Sequence, residues 1–320
     1  MLWRQTAFAA LVLIVSVVAS VVASVWLRVG RDAPPFQAAV IGDGFAVLDG
    51  FDPLRVHRLD DRGGSRGSVV IDQLPAEARV VGVGGEIALV WQDGRKVAIA
   101  ELADDGQLGT PQRFGTRVKR VCEGTATNEH RFGVAYLESD DTMWFVNGPS
   151  TSELAVTTPR EKTYCAIASA ERKIALVWRE ANRVELNLCG KRCSSRVSKV
   201  AIDGALPILG IACTRDACVF AQRVDRGVRL SWVKHSGKRV WHKPLPDATP
   251  DGRVSLVAAA ERIAIAYETS GEPAVRLADR HGALDAIWQG PADQLPALAS
   301  ANGKLLIARK VDGALVTTVR

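Results

Sequence analysis

The residues of this chain on which chemistry could rest are six cysteines, five histidines, three adjacent aspartate pairs and one long basic stretch. Cys189 and Cys193 enclose Gly-Lys-Arg, and Cys213 and Cys218 enclose Thr-Arg-Asp-Ala. Either short loop could supply half of a zinc site, but His57, His130, His235, His242 and His281 are scattered and stand at no ligand spacing from them. The other reading is two hairpin-closing disulfides, Cys189–Cys193 and Cys213–Cys218, with Cys122–Cys165 as the third. It requires an oxidising compartment and is the one adopted here; no metal site is expected.

The aspartate pairs Asp60-Asp61, Asp104-Asp105 and Asp140-Asp141 could act as general acid and base if they faced a common cleft, as in a glycosidase. All three stand in turn-like segments, where Asp is favoured because its side chain caps its own backbone. The glycine cluster Gly82-Val83-Gly84-Gly85 lacks the third glycine of a dinucleotide fingerprint and reads as a hairpin turn. There is no phosphate loop, no calcium loop and no sialidase-type aspartate turn. No catalytic residue and no cofactor are expected.

The basic stretch carries more information. Between Gly190 and Lys243 there are twelve Lys or Arg and three acids, a local excess of +9 in a chain whose net charge is +6. Lys191, Arg192, Arg196 and Lys199 come first; Arg223, Arg226, Arg229, Lys234, Lys238, Arg239 and Lys243 follow. Such a sector could attract anionic lipid headgroups, an anionic glycan or an acidic protein. The alternative is a set of solvated strand residues pointing in several directions.

The elements that must position these residues are set by a repeat. A run of small and β-branched residues recurs as FAVLD, IALVW, GVAYL, IALVW, CVFAQ, IAIAY and LLIAR. Taking Asp49, Trp91, Tyr136, Trp178, Ala221, Tyr267 and Arg309 as equivalent, the intervals are 42, 45, 42, 43, 46 and 42 residues. Each copy reads as an apolar strand, a tight turn, the recurring strand, a turn such as Asp93-Gly94, and a third strand. A Gly-ended polar turn such as Asp104-Asp105-Gly106, His235-Ser236-Gly237 or Arg280-His281-Gly282 then leads to a more polar fourth strand. Four antiparallel strands in about 43 residues describe a propeller blade, and the near-continuous apolar runs suit strands covered on both faces. The expected fold is all-β, a β-propeller of seven blades of four antiparallel strands. Trp91, Tyr136, Trp178 and Tyr267 are expected to wedge between blades. The last copy has three strands; its fourth could come from the start of the domain around Pro35–Val40, or the blade could simply have three.

The segment LSWVKHSGKRVWHKPLP (Leu230–Pro246) resembles the repeat shared by pyrroloquinoline-quinone dehydrogenases and the propeller lipoprotein of the outer-membrane assembly machinery, through Ser236-Gly237-Lys238 and Trp241. The leading Asp of that repeat is absent, and the copy Arg276–Trp288 lacks Gly-Lys and displaces its Trp. More broadly, residues 36–320 resemble bacterial exported β-propeller repeat proteins. The resemblance implies a propeller rather than any particular activity.

The 320 residues are 47% hydrophobic and 24% charged, a mix that excludes disorder, collagen and a small disulfide scaffold. Residues 7–27 form 21 consecutive positions without a charge, bracketed by Arg4 and Arg28 and flanked by Trp3 and Trp26. As a helix they would span roughly 30 Å, the hydrocarbon thickness of a bilayer. The expected organisation is a flank at 1–6, a transmembrane anchor at 7–27, a linker at 28–35 and the propeller at 36–320. A cleaved signal peptide is the alternative for the apolar run. The chain is thus expected to be single-pass in the cell membrane, with the propeller in the periplasm. There it would bind an envelope protein, with anionic lipid or glycan as further partners and no nucleic acid. An exported propeller enzyme with catalytic groups on inter-blade loops is the rival reading. The full-length chain should resist carbonate extraction from native membranes with its N-terminal peptides intact; a soluble form lacking residues 7–27 would decide for a signal peptide.

Overall fold

The computed structural model describes residues 36–320 apart from 51–52, 73–77, 84, 124–125, 129–130, 148–151, 157–159, 171–172 and 190–196. The expected flank, anchor and linker therefore lie outside the described residues. Every regular element among the described residues is a strand, and none forms a helix long and apolar enough to cross a membrane.

The strands form seven separate antiparallel sheets taken in chain order, so the chain is a seven-bladed β-propeller. Blade one, for example, is Gln37–Ile41, Gly44–Asp49, Leu54–Leu59 and Ser65–Ile71, each strand paired with the next. The innermost strands of the later blades are Arg79–Val83, Ala126–Asn128, Lys162–Ala170, Ile208–Cys213, Val254–Ala259 and Ala297–Ala301. Each lies against its neighbours around the ring, and Gln37–Ile41 touches both the second and the last, which closes the circle.

The recurring apolar run is the second strand of every blade. Ile87–Trp91 and Ile174–Trp178 are buried at every position, because neighbouring blades cover both faces. The aromatic at its end wedges as expected. Trp91 packs between blades one and two, Tyr136 between two and three, Trp178 between three and four, and Tyr267 between five and six. Of the three positions that are not aromatic, Ala221 is buried in the apolar cluster between blades five and six, and the other two make polar contacts. Arg309 lies over the Trp288 ring of blade six at 5.0 Å. Asp49 accepts from Lys310 Nζ of blade seven at 2.9 Å. The small residues permit close approach: at Gly82 a Cβ would overlap the Val40 carbonyl oxygen of the neighbouring inner strand.

Two blades depart from the expected four strands. Blade seven has three, Ala297–Ala301, Lys304–Val311 and Ala314–Val319, and the start of the domain does not donate a fourth, since Gln37–Ile41 pairs only within blade one. Closure comes instead from side chains crossing the seam: Lys310 to Asp49, Lys304 to Asp61, and Thr317 Oγ1 donating to the Gly63 carbonyl at 2.9 Å. Blade three has its inner edge split into Val118–Val121 and Ala126–Asn128, both paired with Arg131–Glu138. Between them the backbone steps over to blade four. Glu123 N donates to Cys165 O at 3.0 Å, Ile167 N donates to Glu123 O at 2.8 Å, and Cys122 is disulfide-bonded to Cys165. A link that closes a loop of 43 residues stabilises by about 4 kcal/mol in the chain-entropy account, which offsets the ladder bonds this interrupted edge gives up.

Cys213 and Cys218 are bridged as the sequence implied, facing each other across the hairpin between the first two strands of blade five. Cys189 is also disulfide-bonded, and its expected partner Cys193 lies outside the described residues.

Trp178 is 2% exposed. Replacing it with Ala should cost about 3–5 kcal/mol and lower the melting temperature by roughly 10 °C. A loss below 1 kcal/mol in denaturant unfolding would refute the wedge role.

Candidate functional site

The ring encloses a central cavity of about 420 Å³. Its described wall is built from the inner strands of six blades, including Ala38–Val40, Val80–Gly82, Ile167–Ser169, Ile211–Cys213, Ser255–Ala258 and Ala297–Ser300. These are mostly small apolar residues: such strands converge on the axis and leave room for little else. No ionisable side chain lines this wall.

One polar corner stands where the inner strands of blades two to four begin. Arg79 donates to the Cys122 carbonyl, Arg120 Nη1 to the Thr163 carbonyl at 3.4 Å, and Arg179 Nε to Thr163 Oγ1 at 2.6 Å. Glu123 is exposed at the surface here, with protein crowded around its carboxyl. Burial raises its carboxyl pKa, while Tyr164, Arg79 and Arg120 act in the opposite direction without cancelling it. The Tyr164 hydroxyl is pushed up by its own burial and by the Glu123 charge beside it. All three arginines of the corner are spent on backbone carbonyls, Arg179 through Nη1 on those of Gly204 and Leu206 at 3.4 and 3.3 Å.

The aspartate pairs are turn residues, as read. Asp60 Oδ1 accepts from the Arg62 and Gly64 amides at 2.8 and 2.7 Å, Asp105 Oδ1 from Gln107 N at 2.9 Å, and Asp140 Oδ1 from Thr142 N at 2.9 Å. Those backbone donors hold Asp60 and Asp140 below the usual carboxylate range. Gly63-Gly64-Ser65-Arg66-Gly67 carries the Gly-x-Ser-x-Gly spelling of a nucleophile elbow. Ser65 opens an exposed outer strand instead of a strand-to-helix turn, so the spelling is not the motif.

The basic sector does not form one site. Lys191, Arg192 and Arg196 lie outside the described residues. Arg226 is exposed in the turn before the third strand of blade five, and Arg229 near it is tied to Gln222 Oε1 at 3.3 Å. Lys238 and Arg239 are exposed at the other end of that strand, Gly227–Lys234, about 25 Å away at the rise of an extended chain. Lys199, on the outer strand of blade four, joins the second group. Ala201 N donates to Gly237 O at 2.9 Å, and a Cβ at Gly237 would overlap the Lys199 carbonyl oxygen.

The structure also brings together a group whose members the sequence left scattered. The sulfurs of Cys213 and Cys218 and a ring nitrogen of His235 lie within 4.8 Å of one another. The register explains it: Cys218 pairs with Cys213 on one side and Val233 on the other, and His235 is two residues past Val233, on the same face. Reflection of the second strand about the Asp225-Arg226 turn would have revealed this pairing. Trp241, the matching residue of the resembled repeat, packs against Trp232 at 5.8 Å and donates to the Arg280 carbonyl of blade six at 3.2 Å. Its role is to clamp blades.

No protein-family model matches the chain, and no curated protein matches it. Solved structures do. Streptogramin B lyase aligns over 90% of this chain and 94% of its own at 12% identity, with a TM-score of 0.63. Puromycin hydrolase aligns over 90% of this chain and 53% of its own at 13% identity, with a TM-score of 0.57. BamB from Moraxella catarrhalis aligns over 89% of this chain and 84% of its own at 13% identity, with a TM-score of 0.48. The chain is therefore a propeller repeat protein, and identities this low establish the fold alone.

A carboxyl whose folded pKa is raised binds its proton more tightly in the folded state, so stability falls as pH rises from the ordinary glutamate value of 4.5 through the folded value. Glu123→Gln should therefore raise the melting temperature at pH 7 and change it little at pH 4. An equal shift at both values would show that the carboxyl's ionisation is not strained by its surroundings.

Proposed function

We propose that this chain is a membrane-tethered, extracytoplasmic β-propeller that acts as a protein-binding scaffold of the cell envelope. The anchor rests on the uncharged run at 7–27, and the compartment on the disulfides, which persist in oxidising surroundings. The observation that carries the binding role is the rim where blades four and five meet. Val197 and Val240, 40% and 47% exposed, are two of the three large aliphatic side chains that stand exposed among the described residues. Lys199, Lys238 and Arg239 are exposed beside them, and none makes an ion pair among the described residues. Apolar contact surrounded by unpaired cations suits an acidic protein surface, with long-range attraction raising the encounter rate. Anionic lipid or glycan would use the same charges without needing the valines.

The rival, an exported enzyme, has Glu123 in its favour. A single carboxyl with a raised pKa makes the weaker case, and the described central wall adds no acid or base.

The test is crosslinking of the full-length protein in its own cells, followed by affinity purification and mass spectrometry. A recurrent envelope protein should be recovered with the wild type and with the remote control Lys96→Glu. Its recovery should fall at least tenfold with Lys199→Glu/Lys238→Glu/Arg239→Glu. Equal recovery from both variants would mean that this rim is a solvated face.

A further inference from the structure

We propose that Cys213, Cys218 and His235 form a thiolate–imidazole centre for a zinc-class ion whenever the chain folds with its cysteines reduced, so that one hairpin can be closed by a disulfide or by a metal. Two thiolates and a neutral imidazole are the donor set that zinc prefers, and structural zinc sites are buried and four-coordinate. Cys213 and Cys218 are 1% and 0% exposed beneath the turn Thr214–Ala217. Their side chains share one face of blade five with His235, and the three donor atoms already lie within 4.8 Å. A tetrahedral zinc ion needs such donors about 3.5–3.8 Å apart. His235 Nε2 is buried and has no hydrogen-bond partner among the described residues. The main chain that carries the ring is fixed, since the His235 backbone amide donates to the Asp216 carbonyl at 3.1 Å. A water completes the set of four; Asp216, exposed in the turn above, acts on the imidazole through its charge.

The two closures exclude each other by stoichiometry. Forming the disulfide takes two electrons and two protons from the thiols and delivers them to an oxidant. Binding the ion displaces the two thiol protons and transfers no electrons. A dithiol reductant would convert the first state into the open thiols that the second requires, becoming a disulfide itself. The other described pair, Cys122–Cys165, joins two inner strands and belongs to no such donor group among the described residues.

The full-length protein, solubilised in detergent, is prepared in parallel under oxidising conditions and refolded under a phosphine reductant with zinc or cobalt(II). Bound metal per chain is measured by mass spectrometry, and thiolate ligation by the charge-transfer absorption of cobalt. The reduced wild type should bind one ion, as should Cys189→Ser. The oxidised protein should bind none. Cys213→Ser/Cys218→Ser should lose at least nine-tenths of the uptake, and His235→Ala should weaken affinity at least tenfold. Absence of uptake by the reduced wild type, uptake indifferent to His235→Ala, loss with Cys189→Ser, or equal uptake by the oxidised protein would overturn the proposal. An unfolded reduced chain that collects metal through its thiols alone would show the second of these outcomes.

Discussion

Each blade is a small twisted sheet with two apolar faces and no means of covering either by itself. Stability must come from packing every sheet between two neighbours on a closed circle, and most other features follow from that requirement. The second strand, which has blades on both sides, is apolar and buried along its central run. The inner strands, squeezed towards the axis, are built of Ala, Val, Ser and Gly; at Gly82 no side chain can be accommodated against Val40. Bulk is admitted only at the wider end of the second strand, where Trp91, Tyr136, Trp178 and Tyr267 fill the gap between successive sheets.

The same requirement accounts for part of the arginine content. Arg58 reaches the Leu102 carbonyl, Arg79 that of Cys122, and Arg120 that of Thr163, at separations of 44, 43 and 43 residues. These separations are one repeat, so each guanidinium ties a blade to the next one. The first two, to partly buried carbonyls, contribute more than exposed ion pairs do. They also show why counting cations along the chain overstates a binding surface. Arg229 and Lys243 belong to the basic stretch, yet each is committed to the scaffold, through Gln222 and the Gly282 carbonyl. Lys199, Lys238 and Arg239 face solvent, as do Arg226 and Lys234.

The ring has one natural weak point, the seam where chain start meets chain end. Strand exchange would bridge it with ladder hydrogen bonds. This chain instead uses side chains, with Lys310 on Asp49, Lys304 on Asp61 and Thr317 on Gly63, together with the packing of Phe45 and Val47 against Ala297, Ala299 and Leu306. A second irregularity, the split inner edge of blade three, is handled covalently by Cys122–Cys165 and by backbone bonds across to blade four. Both irregular places are reinforced by links between blades.

The sequence by itself determined the architecture. A spacing of 42 to 46 residues between like strands leaves one class of closed repeat, and the buried runs, wedge aromatics, Gly-ended turns and capping aspartates could each be assigned from residue type, because those are local consequences of backbone conformation and burial. Tertiary structure alone decided what depends on register and on neighbours a repeat away. It put Arg226 and Lys238 at opposite ends of one strand, left blade seven with three strands, set Glu123 where blade three steps over to blade four, and placed His235 beside Cys213 and Cys218. The physical reason is that side-chain position in a sheet alternates with period two and is fixed by pairing partners. A shift of one residue in any hairpin would send a cation, a carboxyl or an imidazole to the other face.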